Sequence, residues 1–375
     1  MNPKEKDQIS LMADLLKNIY NKKFVNNLSR DFKNTYPQFN AEKFRKLVFT
    51  KDWKNKELKE RMRHIVLSLN EVLPKNFLKA IKIIEELSKN ISCESFELMI
   101  FPDYIEVFGQ NYWKESIQGL EEITSIASGE FAVRVFILKD SEKMMKKMLS
   151  WSMHSNYHVR RLASEGCRPR LPWAMALPEF KKDPSLILPI LENLKSDPEL
   201  YVRRSVANNI NDISKDNPKI VLRLLKKWNK NRSREMQWLV RHALRTLEKS
   251  GDKEALLLLG FSPNVDIKAN FFKLKNKKIK MGESLEFSLE LNSMTKSSQA
   301  IVVDYIIHHM KANGKRSPKV FKWTKKKISE NRPLELSKKH AIKLINTRKY
   351  YSGRHEIEIQ VNGNIVASGH FHLSV

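Results

Sequence analysis

Four Val-Arg pairs, Val133-Arg134, Val159-Arg160, Val202-Arg203 and Val240-Arg241, recur 26, 43 and 38 residues apart, and no other feature restricts the fold as much. The best-matched copies are Tyr157-His158-Val159-Arg160-Arg161-Leu162-Ala163-Ser164-Glu165 and Leu200-Tyr201-Val202-Arg203-Arg204-Ser205-Val206-Ala207-Asn208. A looser third copy reads Leu239-Val240-Arg241-His242-Ala243-Leu244. Helical units repeated at this spacing cannot bury their apolar faces alone, so they must stack. The expected architecture is a HEAT-like α-helical solenoid around a concave surface. The flanking sequence agrees, with apolar residues three and four apart in Leu11-Met12-Leu15-Leu16-Ile19-Tyr20, in Met62-Ile65-Val66-Leu69 and in Phe77-Ala80-Ile81-Ile84-Leu87. Breaks are expected at Pro37, Pro74, Pro102, Pro184, Pro198 and Pro218.

After Gly260-Phe261-Ser262-Pro263 the period shortens. Ser284–Leu291, Ile301–Ile307 and His355–Val361 are rich in β-branched residues and partly alternating, and Asn313-Gly314 and Asn362-Gly363 mark turns. About seven short strands are expected, an immunoglobulin-like β-sandwich. The chain thus reads as mostly α with a β domain: a helical-repeat domain over 1–262 and a sandwich over 264–375. A net charge of +27 is best explained by a polyanionic partner, with nucleic acid ahead of a membrane surface. The sandwich alone carries 22 basic and 9 acidic residues, so both halves are basic. No stretch approaches the roughly 18 apolar residues of a membrane span, and Met1–Asp7 lacks a signal peptide's apolar core. With Cys93 and Cys167 as the sole cysteines, a reducing cytoplasm and a monomer without cofactor are expected.

The run from His158 to Trp173 places an acid, Glu165, among arginines. As a helix it puts Arg161 and Glu165 on one face, with Val159, Leu162, Ala163 and Gly166 packing. Pro169 and Pro172 must end that helix and leave Arg168, Arg170 and Trp173 on irregular backbone. The repeat alignment separates two stripes. Arg160, Arg203 and Arg241 read as a structural device at helix ends. Arg161, Arg204 and His242 lie one residue on, about 100° around the helix. Spacing of i, i+4, i+8 adds Glu165 to the first copy, and Asn208 and Asp212 to the second. Glu130 would open the preceding repeat and bring a third carboxylate near. Taken singly, each has a plainer reading: Glu165 as an ion-pair partner of Arg161, Trp173 as a packing corner, Asp212 as a helix cap. His154 and His158, four apart on a helix, have metal-ligand spacing, but no third histidine lies near and Cys167 is the only nearby thiol.

The strings Glu130–Arg134, Val159–Gly166, Arg168-Pro169-Arg170-Leu171-Pro172-Trp173, Tyr201–Asn209 and Val240–Arg245 closely resemble, in order, the AlkC branch of the bacterial DNA alkylation repair glycosylases. The tail, with Val303-Asp304-Tyr305, Lys311–Gly314, Ser317–Lys322 and Tyr351–His355, is similar to the immunoglobulin-like domain of a subset of that branch. The resemblance implies a bacterial cytoplasmic enzyme that excises N3-methyladenine and N3-methylcytosine from double-stranded DNA. It implies catalytic roles for Glu130, Glu165 and Asp212, and contact of Trp173 with base or sugar. Arg161, Arg168, Arg170, Arg204 and His242 are then the expected DNA contacts, with no metal. A helical-repeat module that binds nucleic acid without chemistry shares the same charge and stands as the rival.

Overall fold

The computed structural model describes residues 16–91, 95–330, 332–345 and 348–375. Leu11, Met12, Leu15, Cys93 and the run Met1–Asp7 lie outside the described residues. Two compact units divide between Asn217 and Pro218.

The first unit is helical. Its helices are α1 (Lys22–Thr35), α2 (Ala41–Val48), α3 (Leu58–Asn70), α4 (Phe77–Lys89), α5 (Ile100–Phe108), α6 (Trp113–Ile123), α7 (Val133–Lys139), α8 (Ser141–Trp151), α9 (Tyr157–Gly166), α10 (Pro178–Lys182), α11 (Leu188–Leu194) and α12 (Leu200–Ile213). The described end of the first apolar run is only a short 3-10 turn, Lys17–Ile19. Asn or Asp side chains cap α1, α2, α4, α8 and α9, satisfying amide donors left free at a helix start. Pro102 does not break a helix as its residue type suggested. It lies in the first turn of α5, where a missing N–H costs no hydrogen bond.

Neighbouring helices pack in sequence order, α7 on α8, α8 on α9, and α9 on both α11 and α12. The repeat motif makes that last seam: Val159, Leu162 and Ala163 of α9, and Val202, Val206 and Ile210 of α12, are all buried. Gly166 lets α9 end close to its neighbours, since a Cβ there would stand 2.5 Å from Val133 Cγ2 and 2.8 Å from Met148 Cε.

The second unit joins the last helices to the strands. It contains α13 (Pro218–Trp228), α14 (Arg234–Ala243), α15 (Arg245–Ser250) and α16 (Lys253–Leu258), then β1 (Ile267–Leu274), β2 (Lys278–Lys280), β3 (Ser284–Ser293), β4 (Gln299–Met310), β5 (Arg316–Ile328), β6 (Leu334–Ala341), β7 (Gly353–Val361) and β8 (Asn364–Ser374). Eight strands are therefore described where about seven were expected, β2 being the short addition. They form sheets of order β1-β3-β6 and β2-β8-β7-β4-β5. Alternation supplies the core: Leu285, Phe287, Leu289 and Leu291 face Ile301, Val303, Tyr305, Ile307, Ile357 and Ile359.

Both expected Asn-Gly turns are present, joining β4 to β5 and β7 to β8. Asn362 and Gly363 have φ 45° and 85°, as a two-residue hairpin turn demands. The Asn362 side chain accepts from Val302 N at 2.7 Å and donates to Ser262 O at 2.8 Å. Glu248 of α15, 2% exposed, forms ion pairs with Lys322 and Lys325 of β5. The helical end and the sandwich are thus bonded at several points. The fold is HEAT-like α-helical repeats followed by an immunoglobulin-like β-sandwich. No helix of the described residues is long and apolar enough to cross a membrane.

Candidate active site

Arg160 and Arg203 of the first arginine stripe secure helix ends. Arg160 donates to His154 O at 3.0 Å and Ser155 O at 2.7 Å, just before its own helix, and pairs with Asp197 at 2.6 Å. Arg203 repeats this on Asp197 O and Pro198 O, at 2.6 and 2.7 Å. Arg134 goes further. Its fully buried guanidinium donates to Gly166 O, Arg168 O and Met175 O at 2.8, 2.9 and 2.7 Å, so one side chain pins both ends of the loop after α9. Burial lowers the Arg134 pKa to about 10, which leaves it charged at neutral pH.

The second stripe and that loop meet in a row of alternating charge. Glu130, in the turn before α7, accepts from Ser128 Oγ at 2.8 Å and from Arg161. Arg161 also approaches Glu165, Nη2 to Oε1 at 3.6 Å. Arg168 Nη1 donates to the same Glu165 oxygen at 2.6 Å, and its Nε donates to Asp212 Oδ2 at 2.9 Å. Lys215 closes the row on Asp212 Oδ1 at 3.0 Å. The sequence thus read the three acids as neighbours, and the structure brings them into one connected row.

Glu165 and Asp212 are 5% and 2% exposed, so these charges are bearable only because each is paired. Burial pushes the Glu165 carboxyl up, but Arg161, Arg168 and Ser205 outweigh it and hold the group below its ordinary value. For Arg161 and Arg168 burial works against the charge, yet the acids on either side raise both.

Three expectations need correction. Arg168 is 7% exposed and spends its donors on Glu165 and Asp212, and Arg161 is half-buried between Glu130 and Glu165, so neither is presented as a surface phosphate contact. Asp212 caps no helix start, since it lies in the last turn of α12. His154 and His158 do not share a helix: α9 begins at Tyr157, and His154 Nδ1 instead accepts from Asn156 N at 2.9 Å. Among the described residues, no group of three or more His, Cys, Asp or Glu is arranged to hold a metal.

The stripe also turns. Arg204 is exposed, Asn208 half-buried and Asp212 buried. Each four-residue step overshoots a full turn by about 40°, so eight residues carry the stripe roughly 80° from solvent into the seam. Arg170 stays at the surface, paired with Asp216 at 2.6 and 2.9 Å. His242 lies in the second unit, stacked on Trp238 with ring centroids 5.1 Å apart.

Trp173 is 51% exposed and has φ 62°, a left-handed backbone that a bulky residue adopts only under constraint. Lys59 of α3 supplies part of that constraint, donating to Trp173 O at 3.1 Å while lying 4.4 Å from the centre of the Phe131 ring. Sequence reasoning missed Lys59, Ser128, Ser205 and Asp216. Ser205 and Asp216 stand seven residues before and four after Asp212, a helical spacing that could have found them, whereas Lys59 is brought there only by the folded chain. Cys167, buried beside Asn209, has its thiol pushed up to about 12 by burial and is no nucleophile at neutral pH.

The chain resembles known proteins over nearly its whole length. The family described as "DNA alkylation repair enzyme" matches residues 130–247, and "Uncharacterised protein YhaZ, C-terminal Ig-like domain" matches 268–375. The chain is 42% identical over 362 residues to the uncharacterized protein YhaZ of Bacillus subtilis, covering 96% of this chain and all of that protein. It is 35% identical to the Pseudomonas fluorescens alkylpurine DNA glycosylase AlkC, solved on DNA containing an abasic site analog, with TM-score 0.90 over 96% of this chain and 99% of that one. The chain belongs to the AlkC branch of the DNA alkylation repair enzymes, in the group that carries a C-terminal immunoglobulin-like domain.

Proposed function

We propose that this protein is a monofunctional DNA glycosylase that hydrolyses the N-glycosidic bond of cationic N3-alkylated bases, 3-methyladenine and 3-methylcytosine, in duplex DNA. The observation that carries the reading is the row of three carboxylates, two of them buried and all held by arginines. The glycosylase activity and DNA complex of the Pseudomonas fluorescens relative support it.

An N3-alkylated base already bears a positive charge, so it leaves without a proton from a general acid. The bond electrons go to the base, which departs neutral, and positive charge develops on the sugar. Glu165 and Asp212, with Glu130 supporting, stabilise that oxocarbenium centre and position the water that attacks it. Such fixed opposite charge in a dry site is usually the largest catalytic effect. Trp173 offers a π-face to base or sugar, a contact of about 1–3 kcal/mol in single-strand systems. Arg170, Arg204, His242 and the basic sandwich take the phosphates.

A binding module without chemistry accounts less well for the acids. Burying ionised carboxylates costs folding energy, and anions repel a polyanion, so a pure DNA binder gains nothing from them. Glu165→Gln or Asp212→Asn is expected to cut release of 3-methyladenine from methylated duplex by at least about a hundredfold while DNA affinity stays near wild type. Equal release by wild type and both variants overturns the catalytic assignment.

A further inference from the structure

We infer that Arg168 is a positioning residue for base release, a clamp that fixes Glu165 and Asp212 side by side, and that it is not a phosphate contact; this rests on the glycosylase reading above. The two acids come from different helices, α9 and α12, whose backbones are held by the packed seam, so what the seam leaves open is how the two side chains turn. A single planar guanidinium joins them, with one edge on Glu165 and the other on Asp212. Arginine holds two carboxylates in fixed directions through its rigid planar fork; the ammonium of lysine has three donors but no such fork to set their angle. The clamp is itself held, because Arg134 binds the carbonyl of Arg168 at 2.9 Å.

Arg168 has a second effect, on charge. The groups around Glu165 and Asp212 are Arg161 and Cys167 at α9, Arg134 on α7, Glu130 in the turn before it, Ser205 and Lys215 at α12, and Arg170 in the loop. Arg168 is the one cation among them bonded to both acids. Without it Glu165 stays buried and loses one of the cations that hold it below its ordinary value, and an opposite charge in contact moves a carboxyl by about 1–3 pKa units. A phosphate contact would act otherwise: its loss weakens binding across all pH values and lowers the salt dependence of affinity by about one charge.

The experiment is single-turnover release of 3-methyladenine from methylated duplex at saturating protein, between pH 5.5 and pH 8.5, for wild type, Arg168→Gln, Arg168→Lys and Arg170→Gln, with salt-dependent DNA affinities alongside. For Arg168→Gln the acid limb is expected to move to higher pH, so that the ratio of the pH 8 to the pH 6 rate exceeds that of wild type at least about fivefold. Its salt dependence should stay unchanged. Arg168→Lys keeps the charge but not the fork, and is expected to shift the limb in the same direction by less. Its preserved charge also keeps the test readable if Arg168→Gln does not fold. Arg170→Gln should weaken affinity with no change of limb. A limb shared with wild type in both Arg168 variants, or an Arg168 variant that loses salt dependence as Arg170→Gln does, overturns the clamp. A wild-type protein that releases no base overturns instead the reading on which it rests.

Discussion

The α9 and α12 copies of the repeat share their arginines and do opposite things with the second one. In both, the first arginine is spent on the carbonyls just before its own helix, Arg160 on residues 154 and 155 and Arg203 on 197 and 198. The next residue diverges: Arg161 is drawn between Glu130 and Glu165, whereas Arg204 is left at the surface. Glu165 in one copy answers to Asn208 in the other. A repeat position thus fixes where a side chain starts, while the acid supplied by a neighbouring turn decides whether it becomes part of a site.

That contrast can be broken from its strongest member downward. Arg161→Met leaves Glu130 and Glu165 without their shared cation, and is expected to cost about 3–5 kcal/mol of stability in denaturant unfolding along with most of the activity. Arg160→Met should cost more than Arg203→Met, with base release nearly intact in both. Both uncover carbonyls before their helices, at about 1–3 kcal/mol, but only Arg160→Met also strands the buried Asp197 carboxylate. Stability against acid sharpens the contrast further. The folded protein holds Glu165 below its ordinary value, so this group contributes stability above the unfolded glutamate range and loses it as pH falls through the folded value. The stability gap between wild type and Arg161→Met should therefore narrow below about pH 4, as acid titrations of unfolding would read. Arg204→Gln is the mildest change, expected to weaken DNA binding several-fold and reduce its salt dependence by about one charge, with the rate at saturation unaltered.

Much of this was legible beforehand because it follows from period and breakers. Val159, Leu162 and Ala163 had to pack, Pro169 had to stop α9, and Asn362-Gly363 had to turn. The acids were legible through spacing, since i, i+4 places Glu165 beside Arg161. The partner of Arg168 was not, because a residue on irregular backbone has no period, and its link to Asp212 crosses from one helix to another. The same holds for Lys59, which reaches Trp173 O across more than a hundred residues of chain. Arg161 and Arg168 pair with the acids for an energetic reason: a buried carboxylate left without its cation is an uncompensated charge, which costs the fold several kcal/mol, about 3–5.

A cut after Phe261 runs through the second unit, taking Lys322 and Lys325 from buried Glu248. The basic sandwich is better probed on the intact chain. Lys326→Gln with Lys327→Gln, both exposed on the edge strand β5, is expected to weaken DNA affinity a few-fold without lowering the melting temperature.

The alternating row from Glu130 to Lys215 has a consequence for how this protein can change over time. Removing any inner member strands an opposite charge in the dry seam, so the path from one working sequence to another through single substitutions crosses an unstable intermediate. The acids and the two arginines between them are therefore expected to change together, a variant that abandons one keeping its stability only if the neighbour is replaced in the same step.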